Sequence, residues 1–380
     1  MSAADRLGPL RRVILQPTGF CNIDCDYCYL PNRSRPSRMP IEVVEAVGSL
    51  LARSELLADQ VEVRWHAGEP LTVRPEFYGR ACALLRDMLE PRAAVRFSLQ
   101  TNGMLIDERW CDLFEEQEIE VGVSIDGPAL IHDAHRRTRT GKGTFERAMR
   151  GVAELRRRSL PLDLISVVSE ATLRHQGEYR DFVAELRPRS VGLNPEETEG
   201  DHVSNLFARE GYQRRYREFL RTMFELQLET GIVIRPLAAM AERIAHAELP
   251  IRSEEVEPLM MLSVDVDGNM STFSPELLGW HDDFVFGNAL SPDASLVRWT
   301  RGFERLSDQI AAGREMCRAE CPYFSVCGGG AAVNKWAENG TFASTVTDAC
   351  RSRVMSVCDV VLTELEEQAD GYRDAASAGR

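Results

Sequence analysis

An α/β fold built on a parallel sheet is what this sequence predicts, and three observations predict it. Apolar, β-rich runs alternate with helical periodicity through the first 235 residues, the pattern of a repeated β/α unit. Six such runs occur, which fits a partial (β/α)₆ barrel. Polar motifs then recur at the C-terminal end of run after run, where barrels of this kind place their active sites.

In order, the strands are expected at Val13 to Gln16, Val61 to Trp65, Val95 to Leu99, Glu120 to Ile125, Leu162 to Val168 and Val191 to Asn194. An amphipathic stretch from Asn205 to Glu229 closes the repeat. From Ser263 the character changes to hairpin, loop and cysteine, with Val264 to Met270 forming two short strands around an Asp-Gly turn. The expected organisation is a leader (1–12), the barrel (13–235), a bridging region (236–262), a cysteine-bearing module (263–357) and a helix with a polar tail that frays (358–380).

Composition narrows the function classes. With 44% hydrophobic residues the chain can bury a large core, and its formal charge of −14 disfavours a general nucleic-acid partner. Lysine occurs only at Lys142 and Lys335 among 45 basic residues, which reads as genome composition rather than a selected surface. No stretch reaches the 18 or so apolar residues of a membrane helix and the N-terminus lacks a signal-like apolar segment, so a cytoplasmic protein with no membrane partner is expected. Ten cysteines in a reducing compartment suit metal better than disulfides, and seven of them fall into two clusters.

The first cluster, Cys21-x₃-Cys25-x₂-Cys28, directly follows the first strand. A [4Fe-4S] cluster held by three thiolates keeps one iron open to a ligand. Zinc is the alternative, but it usually takes four closed ligands and no fourth Cys or His is adjacent. With Tyr27 just before the last cysteine, the run resembles the radical S-adenosylmethionine (SAM) superfamily, in which SAM binds the open iron. The resemblance implies a radical SAM barrel and extends strand by strand. Gly68-Glu69-Pro70 resembles the family's GGEP motif, with Ala67 in place of its first glycine, and implies that Gly68 and Glu69 hold the SAM ammonium. Asn102, Ser124 and Asp126, at strand ends, are expected to contact ribose or methionine groups, although each alone suits a helix cap or turn. Arg136 matches the family's carboxylate-binding arginine, whose fork suits two parallel hydrogen bonds. His132 and His135 read as structural, and Arg137 and Arg139 are as compatible with a solvated charge run.

The second cluster, Cys317-x₃-Cys321-x₅-Cys327 with Cys350 further on, supplies four thiolates. Zinc and a fully ligated iron–sulfur cluster both suit four thiolates. The module resembles the SPASM extension of radical SAM enzymes but lacks two of its cysteines, Ala331 and Phe273 standing near those places. One auxiliary [4Fe-4S] cluster is therefore expected, with Cys82, Cys111 and Cys358 as buried inert thiols.

Gln16-Pro17-Thr18, Trp65 to Leu71, Gly192 to Gly200, Ser274 to Gly279 and Gly328 to Ala331 resemble the cyclophane-forming peptide maturases, closest to the glycine-rich-repeat group. That resemblance implies an oxidoreductase that joins an aromatic ring carbon to a nearby Cβ in a ribosomally made precursor peptide (a RiPP), fed by an external donor such as flavodoxin or ferredoxin. Glu196 or Glu197 is the expected base, against the plainer view that both are surface carboxylates. No peptide-recognition domain fits before Val13, so leader binding is expected at a barrel edge, the bridging region or another protein. The alternatives are a maturase of a larger protein, as in formylglycine formation on sulfatases, and an iron–sulfur electron carrier without turnover.

Overall fold

The computed structural model describes residues 7–31, 33–200 and 202–378, with side chains as far as residue 369. The six expected strands are present as β1 (Leu10–Leu15), β2 (Leu57–Trp65), β3 (Ala94–Thr101), β4 (Ile119–Ser124), β5 (Asp163–Val168) and β6 (Ser190–Pro195). All five neighbouring pairs are parallel and follow chain order. Successive side chains leave opposite faces of a strand. On β2, Val61, Val63 and Trp65 are buried in the core, which also takes in Val43, Val47 and Leu51 of helix Ile41–Ala52 and Tyr78 and Leu85 of helix Pro75–Leu89. Alternate residues, among them Glu62, Arg64, Ser98 and Gln100, line a polar cavity of about 540 Å³ on the other face. A hydrogen-bonded ladder fills its floor, with Glu62 accepting from Arg12 Nε at 3.0 Å, Arg64 Nη2 at 2.6 Å and Ser98 Oγ at 2.5 Å.

The sheet goes beyond six strands. A two-residue β7 (Val233–Ile234) extends it beside β6, and β8 (Met261–Val264) pairs in parallel with β1 on the far side. The anticipated hairpin is β8 with β9 (Asn269–Ser271), followed by β10 (Gly287–Asn288), both antiparallel additions. The change of character at Ser263 is therefore not a break in the sheet: backbone pairing to β1 makes the hairpin part of the barrel wall. Within 236–262, helix Arg235–Ala245 buries Leu237 and Met240 in the main core. Both outer strands of the ten-stranded sheet are two residues long, so an added peptide strand would find few backbone partners there.

The amphipathic stretch is helix Tyr212–Thr230, later in starting than the apolar pattern suggested because Gly211 (φ 68°) turns the chain into it. The C-terminal helix, Val357–Ala378, continues through the segment expected as a polar tail; that segment carries four alanines between 369 and 378, which favour helix. Among the described residues, no helix is long and apolar enough to cross a membrane.

Candidate active site

Residues 16–31 and 33–40 lie as loop between β1 and helix Ile41–Ala52, and the three cysteines lie in the first part, Cys25 buried and Cys21 and Cys28 half-buried. Burial pushes the Cys21 thiol up to about 11 and that of Cys25 to about 12. Thiols so placed become thiolates only when a cation replaces the proton, as metal ligands do. The loop's shape is fixed by arginine. Arg33 Nη1 donates to Cys25 O at 3.0 Å, Arg139 Nη2 to Cys21 O at 3.0 Å, and Asp24 N to Arg137 O at 2.7 Å. Arg139 is thus a staple on the loop, a role that local pattern does not reveal.

The Gly-Glu-Pro turn lies directly against this loop. Glu69 N donates to Phe20 O at 2.8 Å, and Gly68 adopts φ 56°, where a Cβ would stand 2.5 Å from Phe20 O and 2.6 Å from Thr18 O. Ala67, in the place of the motif's first glycine, takes φ 78°, a left-handed conformation that costs a side-chain-bearing residue about 1–2 kcal/mol. The Glu69 carboxylate accepts from Thr101 Oγ1 at 2.6 Å, Leu71 N at 3.0 Å and Asn102 N at 2.7 Å. Oε2 takes only one of these, leaving a lone pair for one donor such as an ammonium. Burial nevertheless raises its pKa from the ordinary glutamate value, the hydrogen bonds only partly offsetting it.

The strand-end residues tie the barrel to the cysteine loop. Asn102 Nδ2 donates to Asn22 Oδ1 at 2.7 Å, and Tyr27 Oη donates to Asp126 Oδ2. Ser124 Oγ accepts from Gln100 Nε2 at 2.8 Å. Asp126 is fully buried and also accepts from Arg136 Nε and Nη2 at 3.0 and 3.1 Å and from Val167 N at 2.9 Å. Burial would raise its pKa, but the guanidinium overrides this and holds it below the usual value. The Nε–Nη2 edge of Arg136 is therefore already bound to Asp126. A two-bond grip on a ligand carboxylate through that edge, as the motif suggested, would require displacing a buried ion pair, and positioning of the Tyr27 loop is what this geometry provides. His132 bonds Thr144 Oγ1 at 3.0 Å, burial holding its pKa down at about 4, and His135 bonds Asp26 at 3.0 Å.

The two carboxylates beyond β6 are not surface groups. Glu196 bonds His202 Nε2 at 3.1 Å. Glu197, its side chain 8% exposed, accepts from Asn334 Nδ2 at 2.8 Å and lies 3.6 Å from Arg353 Nε. Glu199, Glu255 and Glu276 share this neighbourhood with Arg353 as the cation among them. Burial first, and then mutual repulsion, raises Glu199 well above its ordinary range and Glu276 to about 7. Glu197 Oε1, Glu276 Oε2 and Trp280 Nε1 are buried without hydrogen-bond partners among the described residues. Tyr29, adjoining Cys28, feels both Glu276 and Glu199 and bonds His66 Nε2 at 3.2 Å. Of this group only Glu197 stands out from the sequence as a base; Glu276 lies in the Ser274 to Gly279 stretch, where local pattern gives its carboxylate no role.

Three thiols on one loop, a glutamate with a spare acceptor beside them and strand-end amides tied to that loop together fit a three-cysteine cluster and a ligand carrying an ammonium. Residues 15–183 match the Radical SAM superfamily. The similarity to this superfamily thus lies in a stretch that spans a little under half of the chain. Members of the superfamily use a [4Fe-4S] cluster and SAM. An uncharacterized protein of Synechocystis sp., sll1766, is 38% identical over 370 residues, covering 95% of this chain and 93% of the relative. The serine-type anaerobic sulfatase-maturating enzyme of Klebsiella aerogenes is 31% identical over 204 residues, 53% of this chain and 49% of that enzyme. In fold, the chain is similar to native anSMEcpe with bound AdoMet (TM-score 0.76, 22% identity, covering 94% and 99% of the two chains). It is also similar to Streptococcus suis SuiB bound to precursor peptide SuiA (TM-score 0.62, 15% identity, 91% and 76%). The radical SAM α/β fold expected from sequence is the fold observed.

The second cysteine group lies at the other end of the cysteine-bearing module. Cys317 lies in the last turn of helix Arg301–Glu320, Cys321 caps it, and Cys327 and Cys350 close a small cavity lined by all four. Gly330 N donates to Cys327 Sγ at 3.1 Å and Lys335 Nζ to Cys317 Sγ at 3.3 Å. Four thiols around one cavity suit either a zinc ion or an iron–sulfur cluster.

Proposed function

We propose that this protein is a radical SAM peptide maturase that crosslinks an aromatic ring carbon to a Cβ in a ribosomally made precursor peptide. The observation that carries this reading is the buried Glu197, Glu199 and Glu276 group, with unpartnered oxygens, close to Tyr29 and the cysteine loop. When bound, the cluster on Cys21, Cys25 and Cys28 and its SAM supply one-electron chemistry that removes a hydrogen atom from carbon. Joining two carbons that each carried a hydrogen then leaves one proton and one electron to dispose of. The base must be a carboxylate that accepts a proton near neutral pH. Glu276, raised by burial to about 7, meets this better than Glu196, which is committed to His202; Glu197 and Glu199 would share the proton with it.

For the electron, the proposed sink is one auxiliary [4Fe-4S] cluster on Cys317, Cys321, Cys327 and Cys350, with flavodoxin or ferredoxin as the outside donor for the first cluster. The place of the missing cysteine near Phe273 supports a single auxiliary cluster. Phe273 is buried and stacked on Phe303 at 6.1 Å, with Phe286 5.2 Å from the same ring, so aromatic core fills that space. The similarity to SuiB, whose structure holds a precursor peptide, supports a peptide substrate. The similarity to sulfatase-maturating enzymes supports a second reading, oxidation of a residue in a larger protein.

Mass spectrometry of a candidate precursor co-expressed with this protein separates the two. A crosslink removes two hydrogens per ring and suppresses fragmentation within a three-residue segment. Formylglycine instead gives an aldehyde that hydrazides capture. Neither change should occur when Cys21, Cys25 and Cys28 are replaced by alanine. An unmodified precursor despite SAM cleavage would reject the crosslinking reading.

A further inference from the structure

Lysine is almost absent from this chain, yet one of its two lysines is buried. Lys335, on helix Ala332–Asn339, is 3% exposed, and its ammonium donates to Gly313 O at 3.0 Å and to Cys317 Sγ at 3.3 Å. Among the described residues, no carboxylate forms an ion pair with it. A buried ammonium without a counter-charge is costly, so the anionic partner must be the thiolate group itself. Arginine elsewhere in this protein pairs with carboxylates through its flat fork, whereas a compact, three-donor ammonium fits between a helix carbonyl and a sulfur. The other charges acting on this group are Glu255 and Arg243 near Cys327, which oppose each other.

We propose that Lys335 is the buried counter-charge of a second iron–sulfur cluster held by Cys317, Cys321, Cys327 and Cys350, and that its charge raises that cluster's one-electron reduction potential. This rests on the reading that these four cysteines hold iron and sulfur. Reduction adds one negative charge to an already anionic site, and a fixed cation in contact with one ligand sulfur favours the reduced form. A cluster tuned in this way is the better acceptor for an electron released during turnover. Lys335 is thus a positioning and tuning residue with no contact to substrate.

The test uses the full chain with Cys21, Cys25 and Cys28 replaced by alanine, so that only the second site can hold a cluster. Iron and zinc content and the Mössbauer spectrum report whether it does; zinc, or no iron, would overturn the reading on which the proposal rests. Given iron, a dithionite titration followed by electron paramagnetic resonance reports the potential. Lys335→Met at unchanged iron content should lower it by at least about 59 mV, tenfold in the one-electron equilibrium, and Lys335→Arg, which keeps the charge but not the compact fit, should restore part of the loss. An unchanged potential would overturn the proposal while leaving the cluster assignment intact. If Lys335→Met loses iron, lysine-selective ¹⁵N labelling decides without that variant. Lys142 is exposed, so a ¹⁵N hyperfine coupling to the reduced cluster can come only from Lys335. Its presence supports the proposal and its absence overturns it.

Discussion

Adding one methyl group at Gly68 should disturb the cysteine loop more than any other change of that size. At φ 56° the residue is in the left-handed region, and a Cβ would lie 2.5 and 2.6 Å from two backbone oxygens, Phe20 O and Thr18 O. The left-handed conformation costs alanine about 1 kcal/mol. Moving the backbone carbonyls adds about 1–3 kcal/mol by analogy with overpacking, and the stiffer unfolded chain returns about 0.5–1 kcal/mol. The net loss is about 2 kcal/mol. With an unfolding entropy of about 2.1 cal/mol/K per residue over 380 residues, that lowers Tm by about 2–3 °C. The carbonyl that must move belongs to Phe20, the neighbour of Cys21, so iron retained per chain should fall as well. The control is Ala67→Gly, one residue earlier at φ 78°, where relief of the left-handed strain offsets the lost methyl and added chain entropy to within about 0.5 kcal/mol. Calorimetry and iron analysis of the two variants decide the matter. Gly68→Ala with native Tm and full iron would show that the turn does not press on the loop.

Asp126→Asn should lower stability by about 3–5 kcal/mol, since it strips the buried Arg136 of its counter-charge; chemical denaturation measures this, and a loss under about 1 kcal/mol would contradict the arrangement. Glu62 gives a pH signature. Burial alone would raise its pKa, but Arg64 and Arg12 outweigh it and bring the value down to about 2 from 4.5. A depressed carboxylate stabilises the fold above its unfolded value, so about 3 kcal/mol should disappear as pH falls from roughly 5 toward 2, and Glu62→Gln should flatten that part of the stability profile. Glu276→Gln should abolish crosslinked product, while SAM cleavage persists in the same reaction; unchanged product would move the base elsewhere. Replacing Cys350 by alanine should lower iron per chain without reducing SAM binding, which a combined iron assay and equilibrium dialysis would report.

Much of this protein is legible along the chain because its signals are local. The six barrel strands announce themselves through short β-branched runs, and the C-x₃-C-x₂-C triplet needs only one loop to bring its thiols together. Glu69, Asn102, Ser124 and Asp126 could be selected because each falls at the end of a recognisable strand. What their side chains bind was not legible. The Arg136 fork that looked free for a carboxylate is closed on Asp126, ten residues away in sequence, and only the folded chain shows that Tyr27 joins the same knot.

Tertiary structure alone decided the rest, wherever partners come from distant segments with no common period. Residues 197, 199, 255, 276 and 353 share no spacing rule, yet one neighbourhood gathers four carboxylates around one guanidinium. The β8–β9 hairpin reads as the start of another module until its backbone pairs with β1, because local turn chemistry fixes a hairpin but not the sheet that receives it. Lys335 looked like chance in an arginine-rich chain. Its meaning depends on Cys317, eighteen positions earlier and on another helix: sequence supplied the charge, and packing alone determined what that charge faces.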